Sequence, residues 1–311
     1  MEQSTFKFRV KRIESGTCDV VMTINDKVIS YSASYIGLEP LKSMIEICAE
    51  IMMELDVDGK YRTGWADEPG GLDFTFLPKG EGLLHIDIVD ENTKEEWHED
   101  VPFETFVVAI ISEGFRVLNA FGLYGYRSAW ASETEFPLSQ LMLICGLYNR
   151  EDASYLGYTS NFTDEAEFLK QHSILEKYDA EKHLDECTVY YESWQMQCCG
   201  DPFSVGDEVQ WTCLVPTHPG AASGRIVDFY EDHHKDFTHK IIGTVSNIVS
   251  QFSDSDKDKK IISYESEWIY EKEIINADGW ECNKPDDDTI ERTFWGYVVE
   301  LKDVIIKPIE E

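Results

Sequence analysis

Apolar residues recur along this chain with two different periods, and the switches between them mark its elements. Phe6, Phe8 and Val10 alternate with Lys7, Arg9 and Lys11, the two-residue period of a half-buried strand. Ser15-Gly16 and Asn25-Asp26 are turn signals that divide it from the apolar runs at 18–24 and 28–34. The first 34 residues therefore read as a three-stranded meander. The period then lengthens: Leu41, Met44, Ile45, Cys48, Ile51 and Met52 follow Pro40 at helical spacing, opposite Lys42, Glu46 and Glu50.

Alternation returns between Trp65 and Val101. Glu68-Pro69-Gly70-Gly71 turns the chain into Leu72, Phe74 and Phe76, and Asn92-Thr93 closes the hairpin that follows Leu84, Ile86 and Ile88. Pro102 opens a helix expected to run to about residue 124, with Phe103, Phe106, Val107, Ile110, Ile111, Val117, Leu118 and Phe121 on one side. Further helices fit 137–148 and 164–177. From about residue 186 helical periodicity fades, and β-rich runs at 188–194, 208–215, 225–230, 240–249, 260–270 and 293–299 alternate with turns. Charged loops fit 253–260 and 283–288. The expected fold class is α+β: residues 1–182 as an antiparallel sheet with helices on one face, then residues 186–311 as a small β-rich barrel or sandwich. The boundary is expected within 177–185.

Charge narrows the functions. The chain has 27 Lys and Arg against 60 Asp and Glu, a net charge of −33. Residues 1–185 hold 16 basic and 34 acidic residues and residues 186–311 hold 11 and 26, so the excess covers both parts rather than one tail. Such surfaces repel phosphate backbones and anionic lipid, which excludes non-specific nucleic-acid binding and an anionic membrane as partner. The N-terminus lacks the apolar core of a secretory signal, and the longest apolar run, 103–120, is broken by Glu104, Glu113 and Arg116. A cytoplasmic protein with its eight cysteines reduced is expected.

The densest chemistry lies between Tyr191 and Trp211. Two large aromatics, Tyr191 and Trp194, a methionine and the vicinal pair Cys198-Cys199 precede a Val-Gly-Asp-x-Val-x-Trp run that enters a strand through a glycine turn. Cys187, Cys198, Cys199 and Cys213 are the candidate metal ligands, with His233, His234 and His239 further on. Adjacent cysteines on a strand face opposite sides, so thiols packed in a β-core are the first reading and a zinc site the second; no other cofactor is expected. His233-His234 beside Glu231-Asp232 reads as an exposed turn, and Asp286-Asp287-Asp288 as a solvated one. The candidate binding residues are Tyr124, Tyr126, Arg127 and Trp130 after the long helix, with Trp194 and Met196 in the C-terminal part. No nucleophile elbow, phosphate loop or paired-histidine zinc helix occurs.

The run Trp194-x-Met196-x-Cys198-Cys199-Gly200-x-Pro202-Phe203-x-Val205-Gly206-Asp207 resembles the signature of an uncharacterised bacterial domain family, over roughly the C-terminal third to 40% of the chain. Gly64-Trp65, the turn at 68–71, Trp97 and the segment 122–130 are arranged as in small proteins that accompany bacterial toxin and defence loci. That resemblance implies an immunity protein or a phage-encoded inhibitor of host defence. An acidic surface carrying aromatics suits the same role, because it steers and then packs against a basic partner such as a nuclease. The alternatives are a metal-assisted hydrolase using the C-terminal cysteines and histidines, and a nucleic-acid mimic.

Overall fold

A computed structural model of the chain describes residues 5–14, 16–34, 36–54, 59–67, 69–130, 135–148, 180–215, 224–234, 237–254, 269–281 and 292–309. The helix expected over 164–177, the aspartates at 286–288 and most of both charged loops lie outside these residues. The chain divides into two compact units, Met1–His172 and Ser173–Glu311. Each contains sheet, the first adds long helices, and the fold is α+β.

In the N-terminal unit, β1 (Phe6–Glu14), β2 (Thr17–Ile24) and β3 (Lys27–Ser34) form the expected antiparallel meander. After α1 (Pro40–Met52), a second antiparallel sheet runs in chain order through β4 (Tyr61–Asp67), β5 (Gly70–Lys79), β6 (Leu83–Asp90) and β7 (Glu96–Pro102). The alternating residues of both sheets meet in one aromatic core: Trp65 lies 6.0 Å from Phe8 and 4.5 Å from Phe74, and Phe106 lies 5.0 Å from Phe6. The buried Trp65 indole N–H donates to Ser43 Oγ of α1 at 2.9 Å, so the largest core side chain leaves no unmet donor.

The long helix α2 (Phe103–Ala129) packs on β1, α1 and α3 (Leu138–Tyr148). Gly122 breaks its regularity at φ 63°, ψ 178°, a conformation that needs glycine. Phe103–Leu123 is long and apolar enough to cross a membrane by length and composition, and half of its most apolar stretch is buried inside this unit. Its two central charges have a local purpose. Glu113 Oε1 accepts the Val10 N–H at 2.6 Å, Arg116 donates to the Val10 carbonyl, and Arg116 Nε reaches Glu113 Oε2 at 2.9 Å. Val10 lies on an edge strand beside a bulge, so this ion pair meets the backbone groups that no neighbouring strand can.

In the C-terminal unit, β8 (Lys182–Glu192) leads into a short helix, α4 (Ser193–Cys199), where the sequence pattern suggested a strand running to Trp194. Seven residues are too few to display helical periodicity, and the helix is held by side chains rather than by its own pattern. Then come β9 (Phe203–Ser204), β10 (Glu208–Leu214), β11 (Phe229–Glu231), β12 (His239–Asp254), β13 (Ile269–Ile274), β14 (Asn276–Ala277) and β15 (Arg292–Pro308). β10 pairs with both β11 and β12, β11 lies parallel to β8, and β15 bridges β8 and β12. These five strands close a ring, a small barrel with β13 added beside β12. Val189, Val209, Phe229, Ile241, Tyr297 and Leu301 fill it, and Trp211 packs against them half-buried.

Candidate functional site

The site grows from α4. Met196 points into the barrel core and Gln195 is buried beside it, its Nε2 donating to the Glu231 carbonyl on β11 at 2.8 Å. Those two anchors leave Trp194, Gln197, Cys198 and Cys199 on the outer side. Both cysteines are exposed, which corrects the expectation that one of the pair is buried. Strand alternation does not apply at the end of a helix. Gly200 then turns the chain where a side chain could not fit, since a Cβ there would come 2.5 Å from the Tyr191 hydroxyl and 2.8 Å from Met196 Cα.

Just beyond β11 the chain delivers its two adjacent histidines to these thiols. His233 Nδ1 is 2.8 Å from Glu231 Oε1 and its Nε2 is 2.8 Å from Cys199 Sγ. With Glu231 ionised, the imidazole proton sits on Nδ1 and Nε2 accepts from the thiol. Glu231 is buried, and its second oxygen has no hydrogen-bond partner among the described residues. The His234 ring stacks on Trp194 at 5.1 Å and 8°, and its backbone N–H donates to Asp232 at 2.8 Å. Cys198 Sγ, Cys199 Sγ and a His234 ring nitrogen all lie within 4.8 Å of one another.

The order Cys199–His233–Glu231 has the connectivity of a nucleophile, its base and an orienting carboxylate. The electrostatics point away from a reactive thiolate. The neighbouring Cys198 thiol raises the Cys199 thiol above its ordinary range, and Glu231 adds to the effect. Burial raises Glu231 itself, partly offset by His233. Reactive cysteines lie in electropositive surroundings or at helix N-termini, whereas Cys199 ends a helix beside a carboxylate.

Residues 185–303 match the model of a family of unknown function, DUF6578. No curated protein matches the chain. The DUF6578 stretch holds α4, β11, both exposed cysteines and both histidines, and it leaves the N-terminal unit outside. Within it the four proposed cysteine ligands do not gather. Cys187 and Cys213 are buried in the barrel core, while Cys198 and Cys199 sit outside with His234.

The other candidate residues separate as well. Tyr126 and Trp130 are buried in the N-terminal unit, Tyr126 edge-on to Phe121 and Phe136, so neither can anchor a partner from the surface. Arg127 is exposed, 3.5 Å from Glu135, and the Tyr124 side chain lies outside what the structure describes. Of the proposed binding residues in the C-terminal unit, Met196 is core and Trp194 is exposed. The sequence sets His233 and His234 beside the candidate cysteines only as a more distant group and gives Glu231 no role; the pairing of a vicinal cysteine pair with a vicinal histidine pair was the signal available. A second group, His85, Asp87 and His98, lies on the second sheet, with Asp87 2.6 Å from His98 and 3.0 Å from His85.

Proposed function

We propose that the chain is an acidic binding protein that occupies a basic protein partner through the surface around α4. The observation that carries this reading is a group of exposed tryptophans tied to that helix. Trp194, Trp280 and Trp295 are 52%, 70% and 44% exposed. Ser193 Oγ donates to the Phe294 carbonyl at 3.2 Å and Gln197 Nε2 to the Gly279 carbonyl at 2.7 Å, so each tryptophan is one residue from a bond that fixes its segment to α4. Large rigid aromatics at low entropic cost are what interfaces use as anchors. Asp201, Asp278 and Glu281 lie on the same segments, in a half of the chain with 26 acidic and 11 basic residues. Carboxylates around aromatic anchors favour a partner rich in Lys and Arg, and they oppose nucleic acid and anionic membranes. Nuclease toxins and defence effectors expose such basic faces, which gives the chain the role of an immunity protein or an inhibitor of defence in a cytoplasm.

The test is association of the full chain with a panel of basic nuclease effectors, measured at low and at high salt. The expected result is a complex whose association slows as salt rises and whose affinity falls on Trp280→Ala. Affinity indifferent to both would remove the reading.

A metal-assisted hydrolase is the second reading, favoured by the exposed Cys–His array. It predicts zinc-dependent turnover of ester or phosphodiester substrates that disappears with Cys199→Ser.

A further inference from the structure

We propose that Cys198, Cys199 and His234 bind one thiophilic divalent cation of the zinc class. This goes beyond the binding-protein reading and stands independently of it. Two sulfurs and an imidazole nitrogen are the donor set that selects zinc over calcium or magnesium, whose preference is for oxygen. The three donor atoms already lie within 4.8 Å of one another. A tetrahedral zinc would hold them about 3.5–3.8 Å apart, given metal–ligand distances of about 2.0–2.3 Å, so side-chain rotation of exposed residues closes the site.

The surroundings are built for the same purpose. Trp194 lies flat on the His234 ring and fixes its plane, and the Asp232 carboxylate holds the His234 backbone. His233 spans Glu231 and Cys199, so a buried carboxylate orients, through an imidazole, the thiol that becomes a ligand; when Cys199 ligates as thiolate its proton passes to His233 Nε2, which then donates to the sulfur. His233 is thus a positioning residue rather than a ligand. Two carboxylates, Glu231 and Asp232, stand on the segment that carries His233 and His234, and their negative charge favours a cation there. Four side chains from a helix end and a strand end converge at the surface, where an ion can enter directly.

Cobalt(II) titration of the reduced, metal-stripped full chain tests the site, because thiolate ligation gives a sulfur-to-cobalt charge-transfer band that carboxylate and imidazole groups cannot give. The expected result is one cobalt per chain, displaced by zinc, with the band abolished in the Cys198→Ser, Cys199→Ser double variant and weakened by His234→Gln. His233→Ala should lower affinity about 10–100-fold while keeping the band. His85→Gln, which alters the imidazole–carboxylate group of the other unit, should leave the titration unchanged. All of these positions are at least partly exposed, and thermal melts establish that the variants fold. Absence of the band in fully reduced protein, its survival in the double cysteine variant, or closure of a Cys198–Cys199 disulfide in place of metal uptake would each overturn the proposal.

Discussion

Both units carry a buried carboxylate hydrogen-bonded to a cationic or basic side chain, yet the two networks end differently. In the N-terminal unit Glu113 and Arg116 are both buried and both bond each other and Val10, with Arg9 a further 3.7 Å from Glu113. In the C-terminal unit Glu231 is buried, but its network passes through His233 to an exposed sulfur. A network closed inside the unit is scaffold: every group is answered by the fold. One that leads out to a soft donor at the surface is available to something else. Buried charge alone therefore does not distinguish structure from function; where the chain of partners stops does.

The closed network gives the largest expected loss from a single substitution. Arg116→Met removes the closer cation and leaves the buried Glu113 with Arg9 alone, 3.7 Å away, which should cost about 3 kcal/mol in urea unfolding of the full chain. A cost below about 1 kcal/mol would mean that the Glu113 carboxylate finds solvent, and the contrast between the two units would fail.

A second buried carboxylate sharpens the comparison through pH. Glu39 sits at the N-cap of α1, and burial pushes its carboxyl up to about 8 from an ordinary 4.5, against the weaker opposite pull of Lys42. A raised carboxyl contributes fully below its unfolded value and loses that contribution as pH rises through its folded value. Stability of the N-terminal unit should therefore decline from about pH 4.5 toward pH 8, by on the order of 5 kcal/mol from this group. Glu39→Gln should melt like the parent at the acid end and above it at the alkaline end. Parallel profiles for the two proteins would show that Glu39 ionises freely in the fold.

These features were unequally legible in the sequence. Period-two alternation located β1, β2, β5 and β6, and helical spacing located α1 and α2, because each buries one face along several residues. The site was not legible in that way. Cys199 and His233 are 34 positions apart and meet because β11, only three residues long, lies parallel to β8. A three-residue strand has no period to read, and its place is set by ring closure with β10. The helix at Ser193–Cys199 is similarly defined by its anchors, Gln195 and Met196, which a pattern of alternation cannot reveal.

A smaller effect is expected where the barrel sets the position of the thiols. Gly200→Ala would force the new methyl against Tyr191 and Met196, at a cost of about 1–3 kcal/mol. Since the strain falls one residue from Cys199, cobalt affinity should drop with stability. Loss of stability with unchanged cobalt affinity would show that the thiols adjust independently of the turn.

Trp194 gives the smallest effect on folding and separates the two uses of the surface. Its ring is half exposed, stacks on His234 and donates its indole N–H to the Glu192 carboxylate, so Trp194→Ala should change unfolding free energy by no more than about 1 kcal/mol. The same change removes an anchor, and a partner that docks there should bind more weakly by about 2 kcal/mol or more. Salt dependence should survive, because the carboxylates that steer the encounter are untouched. A stability loss approaching that of a core tryptophan would instead make Trp194 part of the scaffold that holds α4 on the barrel. The exposed tryptophans would then be the outer edge of the core, and the partner surface would have to lie elsewhere.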